Sequence, residues 1–300
     1  DRGVLIHFAH RTFKWESEAR GKAHVHVVVI GFGFSDHSPK LIFDYSDDDT
    51  PVVYTAKNIN PYLVDAPNTL VASRATPICD VPKITLGNKP TDDGNFILTA
   101  TEKDELVAKE PSSAQFIHPY VGSVEFINGD PRYCLWLKDA NPVELKKCPS
   151  VLQRLQNIRE FRLKSTAKPT REKAETPQLF FFICQPDNSY LLVPSVSSER
   201  RKYVPIGFID KNTIASNLVY IVPNATLYHF GVLTSAMHMA WMRQVGGRLK
   251  SDYRYTGSTV YNTFPWPEKI PDARKTEIER LAQAVLDERA KHLEKGATLA

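Results

Sequence analysis

The chain has 300 residues, 42% hydrophobic and 24% charged, with a formal net charge of +4. That balance is ordinary for a soluble globular protein and supplies enough core for one large or two medium domains. The mild basicity is compatible with a nucleic-acid partner without pointing to one. Cys79, Cys134, Cys148 and Cys184 form no C-x-x-C pair, which argues against a zinc ribbon or a disulfide scaffold and for a reducing, cytoplasmic setting. No apolar run is long enough to span a bilayer, and no signal peptide opens the chain. The chain begins without Met in an apolar run and stops at "LEKGATLA" just after a helix, so it reads as an interior piece of a longer protein.

In chain order, residues 4–8 (VLIHF) and 24–30 (HVHVVVI) have strand composition, the second run nearly continuous as in a strand covered on both sides. "GFGFSD" follows with no third glycine and no helical pattern, so a plain turn is expected rather than a nucleotide loop. His7, His10, His24 and His26 lack carboxylates at ligand spacing and read as packed or surface residues. Residues 45–66 are acidic, then Pro- and Asn-containing, as in a loop at a domain boundary, with "DDD" a solvated turn.

From about residue 67 the pattern changes to short strands, "NFILTAT", "FIHPYVGSVEFINGD" and "RYCLWL". A helix is predicted near 143–164, with Val151, Leu152, Leu155, Ile158 and Phe161 as its apolar stripe. Between Lys138 and Lys173 lie ten Lys/Arg against four Asp/Glu, and the tail "KSTAKPTREKAETP" reads as too polar and Pro-broken to pack. Two readings stay open there: a solvated helix face and loop, or a basic arm along a phosphate backbone through Lys164, Lys168, Arg171 and Lys173. "LFFFICQP", "YLLVPSV", "YVPIGFI" and "LVYIVP" are strand candidates. "SSERRKY" between two of them places Arg200, Arg201 and Lys202 together, a run suited to phosphates and also common in surface turns.

"NATLYHFGVLTSAMHMAWMRQV" predicts one long helix with Asn224 as N-cap, a core stripe of Leu227, Phe230, Met237 and Trp241, and Gly246-Gly247 as its stop. After "GRLKSDYRYTGSTVYNTFPWP", an amphipathic helix with Asp272 near its start is expected to pack in a helical bundle. Within "LKSDYRY", Lys250, Asp252 and Arg254 alternate, so a single strand through them would put all three on one face. No Walker A, G-x-S-x-G, H-E-x-x-H or Cys/His nucleophile pair is present, and "NPY" at 60–62 lacks the second proline of the tetrapeptide that amino-methyltransferases use. The residues alone favour a binding module over a catalyst.

Several long blocks carry a resemblance: "IHFAHRTFKWESEARGKAHVHVVVIGFG", "HPYVGSVEFINGDPRYCLWL", "YLLVPSVSSERRKYVPIGFI", "ASNLVYIVPNATLYHFGVLTSAMHMAWMRQVGGRLKSDYRY" and "VYNTFPWP". In order and across essentially the whole chain, they resemble the MmeI-like family of single-chain type IIG/IIL restriction–modification enzymes. The resemblance implies an α+β chain. Residues 1–66 would be the last strands of an α/β SAM-dependent adenine-N6 DNA methyltransferase. Residues 67–268 would be the target recognition domain, with mixed and antiparallel sheets and several helices. Residues 269–300 would open a C-terminal helical bundle.

The resemblance also implies double-stranded DNA and the rest of the same polypeptide as partners, with no membrane. It places the SAM motif, the catalytic motif and the nuclease outside this segment. The segment itself then needs no cofactor and is inactive alone, while SAM and Mg²⁺ serve the parent enzyme. Base reading falls to Lys250, Asp252 and Arg254, with Asn217 and Leu218 working beside Arg254. Independently, Lys is a donor and Asp an acceptor, matching guanine's acceptors and its paired cytosine's amine in the major groove. A surface ion pair is the alternative for these two residues. For the whole chain the alternatives are a non-DNA scaffolding module or a nuclease-free methyltransferase in phage defence.

Overall fold

The structure is a computed structural model that describes residues 3–15, 25–45, 50–249 and 252–300. Among them, fifteen strands and eight α-helices assemble four small sheets into a mixed α+β architecture.

The first sheet has the order β2-β1-β3-β4, from β1 (Leu5–Trp15), β2 (Val25–Gly33), β3 (Lys40–Asp44) and β4 (Val52–Ala56). The β1–β3 pair is parallel and the flanking pairs antiparallel. The nearly continuous apolar run of β2 predicted a covered strand, but β2 is an edge, with Val25, Val28, Val29, Ile30 and Phe32 exposed. Where a boundary loop was expected, Val52–Ala56 is a strand, while positions 46–49, with the acidic run Asp47–Asp49, and His24 lie outside the described residues. Ala9, Ile42, Ala56 and Ile59 form this sheet's small core.

A second sheet, β12-β7-β8-β6, contains β6 (Ile97–Leu98), β7 (Ile117–Val121), β8 (Tyr133–Leu135) and β12 (Ile214–Ala215). It packs with α1 (Ala100–Lys109) and α4 (Pro149–Leu163) over Phe96, Leu98, Leu135, Val151, Ile158 and Phe180. "SVEFIN" is not a strand but α2 (Ser123–Asn128), because Glu125 reaches back to the Gly122 N–H and caps a turn. The single helix predicted near 143–164 is two. A short α3 (Pro142–Leu145) ends before Pro149, and α4 starts there because proline suits a first helical position and not an interior one. Leu152 and Phe161 from the expected stripe are exposed, while Val151, Leu155 and Ile158 are buried together with Arg162.

The third sheet, β11-β9-β13-β5, comprises β5 (Thr85–Leu86), β9 (Tyr190–Pro194), β11 (Gly207–Ile209) and β13 (Val219–Pro223). All five residues of β9 are buried. "LFFFICQP" contributes only an isolated bridge, Lys89 to Phe182. On this sheet rests the largest core, with Leu191, Val222, Phe230, Met239, Met242, Tyr261, Phe264 and Trp266. Each such side chain contributes about 1.5–3 kcal/mol by leaving water.

The long helix predicted over 224–245 breaks into α6 (Leu227–Leu233) and α7 (Ala236–Val245). Thr234 turns its hydroxyl back to the Phe230 carbonyl, and Ser235 caps the new helix by accepting from the His238 N–H. Thr226, not Asn224, is the N-cap of α6, and Asn224 sits at φ 58°, a left-handed turn that Asn tolerates. Met237, expected in the core, is 71% exposed. The last helix, α8 (Asp272–Leu293), lies against α6 of this same core. Gly231 makes that approach possible, since a Cβ there would sit 2.7 Å from Ile278 and 3.3 Å from Ala282.

Candidate nucleic-acid interface

The stretch 247–254 is not one strand. It forms β14 (Gly247–Leu249) and β15 (Asp252–Arg254), antiparallel, with Leu249 opposite Asp252. Lys250 lies outside the described residues. Of the triple expected to alternate, Asp252 and Arg254 are described, and they lie on one face of β15. Directly opposed residues share a face of an antiparallel pair. One face of the hairpin thus carries Asp252 and Arg254 with Leu249 and Gly247, and the other carries Tyr253 and Arg248. Asp252 is half-buried, while Arg254 and Leu249 are exposed. Gly247, opposite Arg254, leaves the flank of that arginine without a side chain.

β15 is also the centre of the fourth sheet, β10-β15-β14, where β10 (Val196–Ser197) pairs Val196 with Arg254. Just before β10, Ser195 accepts the Tyr255 N–H on its carbonyl at 2.9 Å and donates its hydroxyl to the Leu218 carbonyl at 2.5 Å. Ser123 donates to the same carbonyl at 3.0 Å. The turn carrying Asn217 and Leu218, between β12 and β13, is thereby pinned beside the strand that carries Arg254. Asn217 is half-buried and the Leu218 side chain 62% exposed. Sequence reasoning missed Ser195. Its only signal was its place one residue before a strand, which marks no role.

Behind β15, Tyr255 is fully buried and shares a hydrogen bond with His238 Nε2 at 3.0 Å. Burial drives the His238 pKa down to about 3, so the ring is neutral and the strand's inner anchor stays uncharged.

The cations of the basic arm divide. The tail thought too polar to pack folds as α5 (Lys168–Glu172) and a 3-10 turn at Lys173–Glu175, with Ala174 buried. Its organiser is Arg162, 0% exposed, whose guanidinium donates to the carbonyls of Pro90, Thr91, Lys173, Thr176 and Leu179 at 2.9–3.2 Å. Arg171 is exposed, yet it donates to the Ser165 and Thr166 carbonyls at 2.8 and 2.7 Å, closing a turn. Lys164 and Lys168 are exposed, Lys168 at 3.8 Å from Glu172, and Lys173 is half-buried. In the loop after β10, Arg200 and Lys202 are exposed and Arg201 half-buried.

Among the described residues no group of three His, Cys, Asp or Glu could hold a metal ion, and the four cysteines are free thiols. No helix among these residues is long and apolar enough to cross a membrane.

A three-stranded sheet thus carries Asp252 and Arg254 on one face, with a second turn, that of Asn217 and Leu218, fixed beside it. Comparison with known proteins supplies the family. The family described as "MmeI, target recognition domain" matches residues 65–268, and "MmeI, DNA-methyltransferase domain" matches residues 1–44. The chain belongs to the MmeI family. DNA methyltransferase A of Bacillus subtilis (strain 168) is 43% identical over 298 residues, 99% of this chain and 33% of that protein. The solved structure of the type IIL restriction-modification enzyme MmeI in complex with DNA is 49% identical, with a TM-score of 0.94, covering 99% of this chain and 40% of that one. The chain thus spans about a third of its curated relative and two-fifths of the solved enzyme.

Proposed function

We propose that the chain is the sequence-specific, double-stranded-DNA recognition module of a single-chain type IIG restriction–modification enzyme that methylates adenine N6. The observation that carries the reading is the shared face of Asp252 and Arg254, with the Leu218 turn tied to it through Ser195. Arg254 presents donors that suit guanine O6 and N7, and Asp252 an acceptor that suits the cytosine amine. Lys250, with Asp252, specifies one G·C pair, with guanine on the strand that carries the methylated adenine. Asn217 and Leu218 shape the pair that Arg254 meets. Arg200, Arg201, Lys202, Lys164, Lys168, Arg171 and Lys173 supply phosphate contacts, which position the duplex without reading it. The engagement of Arg171 with two carbonyls makes it the weakest of these.

SAM and Mg²⁺ serve other segments of the full-length enzyme in this reading. Cytoplasmic location fits a chain whose substrate is DNA and whose cysteines are free. The name of the Bacillus relative, DNA methyltransferase A, favours a second reading in which the parent methylates and does not cleave. Incubating the full-length enzyme with unmethylated DNA separates the two by the presence or absence of fragments.

The decisive experiment installs Lys250→Glu with Asp252→Arg in the full-length enzyme and maps methylated sites by sequencing. The expected result is C·G in place of G·C at one position, with each single change mainly abolishing methylation, because a mismatched pair costs roughly 1–3 kcal/mol. Retention of guanine by the double variant, or an unchanged site list for Lys250→Ala, would show that these residues do not read bases.

A further inference from the structure

The face of the hairpin turned away from Asp252 and Arg254 has its own arrangement. Tyr253 lies opposite Arg248, whose guanidinium sits 4.2 Å from the centre of the Tyr253 ring. The same Arg248 reaches Glu199 at 3.6 Å. A second guanidinium, Arg243 from α7, lies 5.9 Å from the same ring and donates to the Lys202 carbonyl at 2.7 Å. Glu199 and Lys202 flank Arg200 and Arg201 in the loop that follows β10. One aromatic ring therefore gathers a strand, a helix and the basic loop.

Arginine suits this use. Its planar, weakly hydrated guanidinium stacks on an aromatic face while its N–H groups keep donating in the plane. Two cations on one ring repel each other, and here Glu199 and the Lys202 carbonyl offset that repulsion. Lysine at position 243 would keep the charge but lose the stacked plane and its fork of donors.

We propose that Tyr253 is a positioning residue that, through Arg248 and Arg243, holds the basic 198–203 loop in fixed register with the reading face of the hairpin. Phosphate contact by Arg200, Arg201 and Lys202 then brings Asp252 and Arg254 to the base edges in one geometry. Arg243 and Arg248, although basic and exposed, serve the clasp and not the phosphates. This inference rests on the proposed reading of the loop and hairpin as DNA contacts.

The test measures binding of the full-length enzyme to its methylation site and to unrelated duplex over a range of salt concentrations. Tyr253→Leu keeps apolar bulk and removes the ring face. It is expected to reduce the ratio of specific to non-specific affinity about tenfold, the scale of one or two lost cation–π contacts. The salt slope on unrelated DNA stays unchanged. Tyr253→Phe restores the ratio, which a general loss of folding would not. Arg243→Lys reads the same ratio should Tyr253→Leu fail to fold, and the same loss is expected. An unchanged ratio in the folded variants overturns the proposal, as does a flatter salt slope with the ratio intact for Arg248→Gln, which would make that arginine a phosphate contact. Failure of the underlying reading looks different: the unaltered enzyme would then show no preference for its methylation site, or an Arg200, Arg201 and Lys202 triple glutamine variant would keep the full salt slope.

Discussion

Arg162 and Arg254 come from stretches of similar basic character, and the fold puts them to opposite uses. Around Arg162, five backbone carbonyls from two distant segments converge on one guanidinium, and nothing of that side chain reaches water. Around Arg254, the neighbouring strands place Val196 on one side and only Gly247 on the other, and the side chain stands exposed on a small sheet. A buried guanidinium must have its donors paired, because an unmet charge in the interior costs several kcal/mol. An exposed guanidinium with an open flank contributes little to folding and remains able to pair with something else. Basicity in a sequence therefore does not distinguish a structural staple from a ligand-facing group. Burial and the carbonyls around the group do.

The largest effect should come from the staple. Arg162→Met is expected to lower stability by about 3–5 kcal/mol in urea unfolding, because it removes a charge-assisted donor from five carbonyls at once. A loss under about 1 kcal/mol would break the comparison, since surface substitutions behave that way.

Next comes acid sensitivity behind β15. The pKa of His238 is held down to about 3 in the folded chain against 6.5 in the unfolded one, so above pH 6.5 it contributes no penalty. As pH falls from 6.5 towards 3, the unfolded chain takes up a proton that the folded chain refuses, and stability declines by about 1.4 kcal/mol per pH unit. At pH 5 that is about 2 kcal/mol. Comparing unfolding at pH 7 and pH 5 for the unaltered chain and for His238→Gln checks this. An equal loss in both would assign the acid sensitivity elsewhere.

A smaller loss, about 1–2 kcal/mol, is expected for Gly231→Ala, because the added Cβ meets Ile278 at 2.7 Å and must push α8 away from α6. Should the variant be as stable as the parent, α8 is not seated on that glycine in solution.

The smallest effect on folding belongs to Arg254→Ala, within about 0.5 kcal/mol. The same change is expected to relax the methylation site at one base pair in the full-length enzyme, a difference of roughly 1–3 kcal/mol. A large stability loss with an unchanged site list would give Arg254 the role of Arg162 and erase the contrast.

Much of this was legible in the residues. Strands came through where apolar runs met turn residues, as at Tyr190–Pro194 and Val219–Pro223, because a largely buried strand needs an unbroken apolar run. The chain's family was legible from long blocks of sequence. The errors have a common origin. The break between α6 and α7 depends on Thr234 and Ser235 bonding back to the main chain, a choice that periodicity does not register. "SVEFIN" has strand composition and becomes a helix through a capping bond. The alternation of Lys250, Asp252 and Arg254 suggested one strand, although Gly247–Leu249 and Asp252–Arg254 are two antiparallel strands.

By itself the sequence determined composition, the sites where elements had to start and stop at proline and glycine, and membership of a family, since all of these are properties of neighbouring residues. Tertiary structure alone decided which cations are spent and which are available. Arg162 meets carbonyls more than seventy positions away, Leu218 is held by serines 23 and 95 positions away, and Arg243 clasps a loop 41 positions away. Side chains separated so far in sequence share no local pattern, and only the packing that joins them tells a staple from a reader.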